Sequence, residues 1–376
     1  MIMRSYPIFL LALVAFLFVA CEKDTLKTTD NDDFQQYMNE ADQKLAEADA
    51  LLAQDLYVSE RTPGVLPAGS VDGLAEAIEE VGPFGTVLVE SGMHYETGTV
   101  KITFPVKIIG EYGAIIQSTT APNADFPYTL DPAIYLDHAK QVQIEGLHFV
   151  PDLATGQGGT AILVSNSDRA YIRDNDFTAY FQAVLVHASD FVRIHYNRAE
   201  GLYTEGFDNF NSWGFSVMSG KSAYLRGNVA EDFSAGYFVS DENGILYKNT
   251  STGGLQGFFH CTYPEGIIQL PDETPIKAEL SARNWQVISN TAQDASTGYL
   301  VIDGANNCKL INNKAINNSV YDFEFAGPTD RYGVLIPTSF ENYFLTGGRD
   351  VTVKDCGVDN IIRGGKLVDN TQDPCI

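Results

Sequence analysis

Histidine and methionine are scarce in this sequence, with 6 and 5 among 376 residues, and cysteine is no commoner at 5. No two cysteines stand in a C-x-x-C or other metal-ligand spacing, which excludes a thiolate zinc or iron–sulfur site. Too few histidines and methionines remain for a copper-handling protein. Positive charge is short as well. Twenty-four Lys and Arg face 49 Asp and Glu, a net charge of −25. Such a chain repels nucleic acid and anionic lipid unless its few cations are collected in one place, so no nucleic-acid partner is expected. Hydrophobic residues make up 44% of the chain, enough for a folded body, which excludes an acidic disordered protein.

Long apolar runs are also missing, apart from Ile8 to Val19. That run is too short to span a bilayer and follows Arg4, a minimal positive start, so residues 1–20 read as a signal peptide. Phe18-Val19-Ala20-Cys21 ends it with small or apolar residues before a cysteine. This is the pattern of a lipoprotein whose Cys21 thiol carries the lipid, with Phe18 departing from the usual leucine. Membrane attachment is therefore expected through Cys21 and not through a span. Glu22-Lys23-Asp24 resembles the tether of lipoproteins exported to the cell surface, so the expected location is the outer membrane, on its cell-surface or periplasmic face. Outside the cytoplasm a Cys356–Cys375 clasp is the expected disulfide, with Cys261 and Cys308 as buried thiols.

Residues 21–64 form a tether and helix. Phe34, Met38, Ala41, Leu45, Ala48, Leu52 and Leu56 recur at helical spacing, so an amphipathic helix is predicted over Asp33 to Leu56. Capping the body is its expected role, with stalk and self-association as alternatives. Thr62-Pro63-Gly64 breaks the chain. A second helix is predicted after Ser70 as N-cap, with Val71, Leu74, Ala75, Ile78 and Val81 on its apolar face.

The remainder, 65–376, is dominated by an internal repeat. Short β-type runs end in Asn175, Asn197, Asn228, Asn249, Asn290 and Asn313, at spacings of 22, 31, 21, 41 and 23 residues. The two long spacings are one turn plus an insertion, the larger running from Thr262 to about Ala282. Before each asparagine sits a second strand of the form small–apolar–x–apolar, such as Ala183-Val184-Leu185-Val186 or Gly236-Tyr237-Phe238-Val239. Repeats of this length, with two short strands each, bury their apolar faces only by stacking. An asparagine at each bend can hydrogen-bond to its copy one rung away, so these asparagines are structural.

On these repeats and the helix–strand–turn–strand opening, residues 65–376 resemble right-handed parallel β-helix proteins of the pectin-lyase-like superfamily. The resemblance implies an all-β solenoid with short N-terminal helices. It leaves function open, because that superfamily holds lyases, hydrolases, epimerases and adhesins.

Face assignment narrows the choice. Ile172, Ile194, Leu225, Leu246, Val287 and Leu310 should point inward, and period-two alternation then puts two columns outward. One reads Arg173, His195, Arg226, Tyr247, Ile288, Ile311; the other reads Tyr171, Arg193, Tyr224, Ile245, Gln286, Lys309. Three arginines and a histidine among tyrosines suit an acidic saccharide, since guanidinium forks match carboxylate or sulfate and flat rings match sugars. The plainer alternative is a ladder of ion pairs with Asp174, Asp176, Glu205 and Asp208. The turn from Leu202 to Trp213 adds Trp213 as a further stacking candidate. Its Glu205 and Asp208 would supply an acid–base pair or hold calcium, although their spacing establishes neither. No other metal is called for. The outward residues of the other strand, Leu185, Ser216, Phe238, Phe259 and Leu300, need a cover, either the first helix or the 262–282 insertion. His260 is read as a satisfied core histidine.

The expectation is a monomeric exported lipoprotein whose β-helix binds an acidic polysaccharide. Cleavage would proceed by β-elimination, with His195, Arg173 and Arg226 carrying proton transfer and charge, and Arg193, Tyr171, Tyr224, Tyr247 and Trp213 binding substrate. A glycoside hydrolase would instead need two converging carboxylates, for which Glu205 and Asp208 are the candidates. The alternative is a non-catalytic structural or adhesive β-helix.

Overall fold

The computed structural model describes residues 28–55, 62–122, 128–152, 154–203, 212–261, 268–276, 282–327, 329–331, 334–336, 338–346, 350–368 and 375. Cys21, the signal run, Glu205 and Asp208 lie outside them. Two compact units divide at Lys44, Met1–Lys44 and Leu45–Ile376. The first helix, α1 (Thr28–Asp55), runs through that boundary and starts five residues before its expected position. In the first unit it carries Gln35-to-Asn39 and Gln36-to-Glu40 side-chain bonds one turn apart.

The second unit is a stack of rungs, each made of three short strands. Tyr171–Arg173, Asp176–Thr178 and Tyr180–His187 form one rung, and Arg193–His195 starts the next directly over Tyr171–Arg173. Like strands pair in parallel into a first sheet of 12 strands, a second of 9 and a third of 11 among the described residues. The asparagine strands make the first sheet and the small–apolar–x–apolar strands the third. The second sheet, of three-residue strands such as Arg198–Glu200, was not read from the sequence. Within the asparagine repeats its strands contribute a single inward side chain, such as Phe177, Ala199 or Ala230, too little for a periodic signal.

All six expected inward residues of the first sheet, Ile172 to Leu310, are fully buried. They join the inward residues of the other sheets in one continuous core. Phe215, Tyr237, Phe258, Tyr299 and Phe323 stack along the third sheet with ring centroids 5.5, 4.6, 4.8 and 4.5 Å apart. Such offset stacks add to simple area burial. The small residue ahead of each of these rings has a steric reason. A Cβ on Gly214, Gly236 or Gly257 would lie 2.6–3.0 Å from the carbonyl oxygen of the glycine one rung on.

The corner between first and second sheets is held by the asparagine ladder. The residue before each asparagine turns left-handed: Asp174, Tyr196, Gly227, Lys248, Ser289 and Asn312 all have φ between 52° and 63°. For non-glycine residues that costs about 1 kcal/mol each. The ladder offsets it. The backbone N–H groups of Asn175, Asn197, Asn228, Asn249 and Asn290 donate to Oδ1 of the next asparagine at 2.8–3.0 Å. Each Nδ2 donates to that same Oδ1 at 3.0–3.1 Å. It donates also to a carbonyl of the preceding rung at 2.7–3.0 Å. These buried amides are satisfied by their copies, as the repeat implied.

The second helix, α2 (Leu74–Val81), closes the N-terminal end with Leu74, Ala77 and Ile78 buried. It begins later than Ser70 predicts, because Val71 is taken up in a parallel bridge to Tyr95 and stands exposed. Its N-terminus is held by Glu96, whose carboxylate accepts from the Leu74 N–H at 3.1 Å, a favourable place for negative charge. At the other end Cys356 and Cys375 are disulfide-bonded, and Cys261 and Cys308 are buried thiols.

The ladder makes a measurable claim. Asn228→Ala removes both polar atoms that link three rungs and should lower unfolding stability by about 3–5 kcal/mol. Lys314→Ala, at an exposed second-sheet position, should stay within about 0.5 kcal/mol. Urea denaturation followed by circular dichroism compares them. Equal losses would refute a structural role for the ladder.

Candidate functional site

The two outward columns of the first sheet stand in the expected register. Glu145, Arg173, His195, Arg226 and Tyr247 align across five rungs, as do Gln143, Tyr171, Arg193, Tyr224 and Ile245. The structure therefore brings together seven of the eight proposed site residues. Trp213 is not among them. It opens a third-sheet strand and stacks on Phe238 at 4.4 Å, within a separate apolar cluster. The alternation that placed the other seven residues did not place Trp213, which sequence reasoning grouped with the residues before it.

Burial divides the seven. His195 is 2% exposed, walled edge-to-face by Tyr224 at 4.7 Å and Tyr171 at 5.4 Å between ring centroids. Burial pulls its pKa down to about 3, and the guanidiniums of Arg193, Arg226 and Arg173 lower it further in the same sense. A neutral, enclosed imidazole of such low basicity is a poor acceptor for a substrate proton. Arg193 is buried as well and donates to the Ser222 carbonyl at 3.1 Å. Tyr224 is covered by α1, whose Leu45 and Ala48 rest on Tyr224 and Ile245 with Tyr247 alongside. Burial raises the Tyr171 and Tyr224 phenols above their ordinary pKa.

The remaining residues form a rim beside the asparagine corner. Arg173 is held by Glu145 and Asp174, each at 3.0 Å, and lies over the Tyr171 ring at 5.7 Å. Arg226 lies between Tyr196 and Tyr247, 5.7 and 5.8 Å from the centroids, and pairs with Asp49 of α1 at 3.1 Å. Lys248 reaches over Tyr247 at 4.9 Å. Tyr196, 51% exposed, is the most open aromatic of the group. Sequence reasoning missed Tyr196 and Lys248 because both occupy the left-handed turn position, where strand alternation does not apply. Their place just before a repeat asparagine was the available signal. Asp49 was missed because nothing in sequence joins α1 to this sheet.

The other faces differ. The outer surface of the third sheet, running through Tyr135, Leu163, Leu185, Phe238 and Leu300, is covered by Leu130, Ile268, Leu270 and Ile276. Of the two expected covers, the insertion is the one that lies here. Ile268–Gln269 pairs in parallel with Tyr128–Thr129. At the edge of this cover Asp137 bonds Lys101 at 2.7 Å and His138 at 2.6 Å, and Ser165 meets His187 at 3.3 Å. On the second sheet Glu200 and Glu231 are adjacent in register, but Arg198 pairs with Glu231 at 2.5 Å. Among the described residues no group of three or more His, Cys, Asp or Glu is placed to hold a metal ion.

Inside the solenoid His260 is fully buried and inward, but neither ring nitrogen has a hydrogen-bond partner, which corrects its reading as a satisfied core histidine. Asp241 is equally buried, and burial holds its carboxyl well above the ordinary range. These groups set opposite pH dependences. His187, His195 and His260 are held down to about 4, 3 and 3, so their contribution to stability is whole above the ordinary 6.5 and lost as pH falls toward 4. Asp241 contributes below its ordinary 3.8, and that contribution declines as pH rises. Asp241→Asn should therefore raise the melting temperature at pH 7.5 more than at pH 4. A variant no more stable than the parent at pH 7.5 would show that Asp241 has no ionisation penalty.

Residues 116–346 match the family described as right handed beta helix region. No curated protein matches the sequence. Among solved structures, a Dettilon tailspike protein is 9% identical over 83% of this chain and 70% of its own, with a TM-score of 0.46. A galactohydrolase named for galactose 4-sulfate and 3,6-anhydrogalactose 2-sulfate is 12% identical over 80% and 74%, with a TM-score of 0.46. PfbA, a surface adhesin of Streptococcus pneumoniae, is 10% identical over 78% and 86%, with a TM-score of 0.42. These likenesses assign no activity. With the family match extending over more than half its length and its parallel strands stacked rung on rung, the chain belongs to the right-handed β-helix family.

Proposed function

We propose that this protein is an exported lipoprotein, anchored through Cys21, that binds an acidic polysaccharide along the rim of its first sheet without cleaving it. The observation that carries the reading is the row Arg173, Tyr196, Arg226, Tyr247 and Lys248. It spans four consecutive rungs, with its cations 4.9–5.8 Å from tyrosine ring centroids. Aromatic faces stack on sugar rings, while guanidinium forks take carboxylate or sulfate. In a chain of charge −25 this is an uncommon concentration of cations. Non-catalytic binding, as in an adhesin, is favoured over β-elimination because His195 lies behind Tyr171 and Tyr224 and stays neutral. The Cys356–Cys375 disulfide supports a location outside the cytoplasm.

Lipid-free protein of residues 22–376, exposed to an array of acidic and neutral glycans, should retain uronate or sulfated chains. Arg173→Ala/Arg226→Ala should weaken that binding by about tenfold or more, as expected for two charge-assisted contacts. Absorbance at 235 nm should stay flat, since no unsaturated product forms. A folded protein that retains no acidic glycan would end the polysaccharide reading, and rising absorbance would restore a lyase. For the anchor, Cys21→Ala should move the protein from the detergent phase to the aqueous phase on partitioning. Persistence in detergent would show that Cys21 carries no lipid.

A further inference from the structure

The two covers of the solenoid are attached differently. The insertion over the third sheet presents Ile268, Leu270 and Ile276 to leucine and aromatic side chains. It is also stitched by backbone pairing to Tyr128–Thr129, and the Leu130 N–H donates to the Gln269 carbonyl at 2.9 Å. Among the described residues, the end of α1 over the first sheet places Leu45 and Ala48 in its apolar cluster. Its ion pair, Asp49–Arg226, has side chains 46% and 32% exposed, and pairs of that kind hold weakly. Among the described residues no backbone hydrogen bond joins Leu45–Asp55 to the sheet.

The covered face is also not finished as a permanent core. His195 Nε2 and Gln143 Nε2, on this same outer face, are buried without a hydrogen-bond partner. Buried polar atoms in a settled packing surface almost always find partners. His195 stands among the guanidiniums of Arg193, Arg226 and Arg173 and the rings of Tyr171 and Tyr224, and Gln143 lies one rung from Tyr171. The guanidiniums and aromatic rings of this face suit the acid groups and ring faces of a saccharide, and the unpartnered polar atoms beneath them mark a packing that is not closed.

We infer that the Leu45–Asp55 end of α1 is a displaceable occupant of the polysaccharide site. Asp49 holds on Arg226 the place of a ligand carboxylate or sulfate. The inference rests on the binding function proposed above and adds its regulation: ligand and helix end compete for one guanidinium. A ligand shifts such an equilibrium only through its preference for the uncovered state, so weakening the helix contact strengthens ligand binding.

The test uses mature protein carrying Cys21→Ser, with hexagalacturonate and a sulfated galactan oligosaccharide as separate probes and a neutral galactan oligosaccharide as control. Asp49→Asn, an isosteric change at an exposed position, should tighten binding of the matching acidic probe by about fivefold or more. Hydrogen exchange should show residues 45–51 losing protection on binding, while 171–173 and 224–226 gain it. Binding by Asp49→Asn with none detectable in the parent would support the same conclusion. If the parent binds in an Arg173/Arg226-dependent way, yet Asp49→Asn binds equally or more weakly and the helix keeps its protection, the competing helix is refuted and the binding reading survives. If neither protein binds either acidic probe, the binding reading fails and the inference with it.

Discussion

Each three-residue strand of the first sheet offers the core one side chain: Ile172, Ile194, Leu225, Leu246, Val287 or Leu310. Alone that side chain is covered by nothing, and it is buried only when the rungs on either side stand in the same register. A slip of one residue would bring Arg193 or His195 inward in place of Ile194. The asparagine ladder fixes that register by making each corner accept hydrogen bonds from its neighbour at one height only. The glycine column on the third sheet sets how closely successive rungs can approach there. Insertions are consequently confined to corners, where added length disturbs neither device.

Register has a second consequence on the outside. Whatever faces outward on one rung stands beside its equivalent on the next, so an outer face is a ladder of like positions about 4.8 Å apart. Apolar ladders must be covered, as the third sheet is by Ile268, Leu270 and Ile276. Charged ladders must be neutralised or used. Along the first sheet Glu145 and Asp174 partly neutralise Arg173, while Asp49 arrives from α1 to meet Arg226. An ion-pair ladder and the proposed binding rim therefore need not exclude each other. Carboxylates that balance the arginines in the absence of a ligand mark the positions that ligand acids would take.

Much of this was legible in the sequence because the repeat itself carries it. The inward column, both outward columns and the ladder follow from aligning six asparagines and counting alternate residues. The second sheet was illegible, since Arg198-Ala199-Glu200 offers one buried alanine and no pattern. Trp213 was misplaced because it was grouped with the residues before it, whereas it opens the third-sheet strand Trp213–Lys221. The burial of His195 could not be read either. Alternation gives the direction of a side chain, and the rings of Tyr171 and Tyr224 on neighbouring rungs decide whether that direction is open. The partner of Arg226 was hidden for a related reason: Asp49 precedes it by 177 residues with no repeat linking the two.

The acidity of the chain then sharpens what the rim can recognise. At physiological ionic strength charges are screened over about 8 Å, so most of the 49 carboxylates do not act directly on a ligand at Arg226. They do act on an approaching polyanion, disfavouring the loose accumulation that a basic surface would promote. On the proposed function, binding would therefore come from short-range contacts with Arg173, Arg226 and Lys248 and from stacking on Tyr196 and Tyr247. Those contacts depend on the spacing of acid groups along the glycan matching the spacing of rungs. A rim of this kind discriminates by pattern and not by total charge. In an acid-rich solenoid, the register that holds the core together is thus also the ruler against which a polysaccharide would be measured.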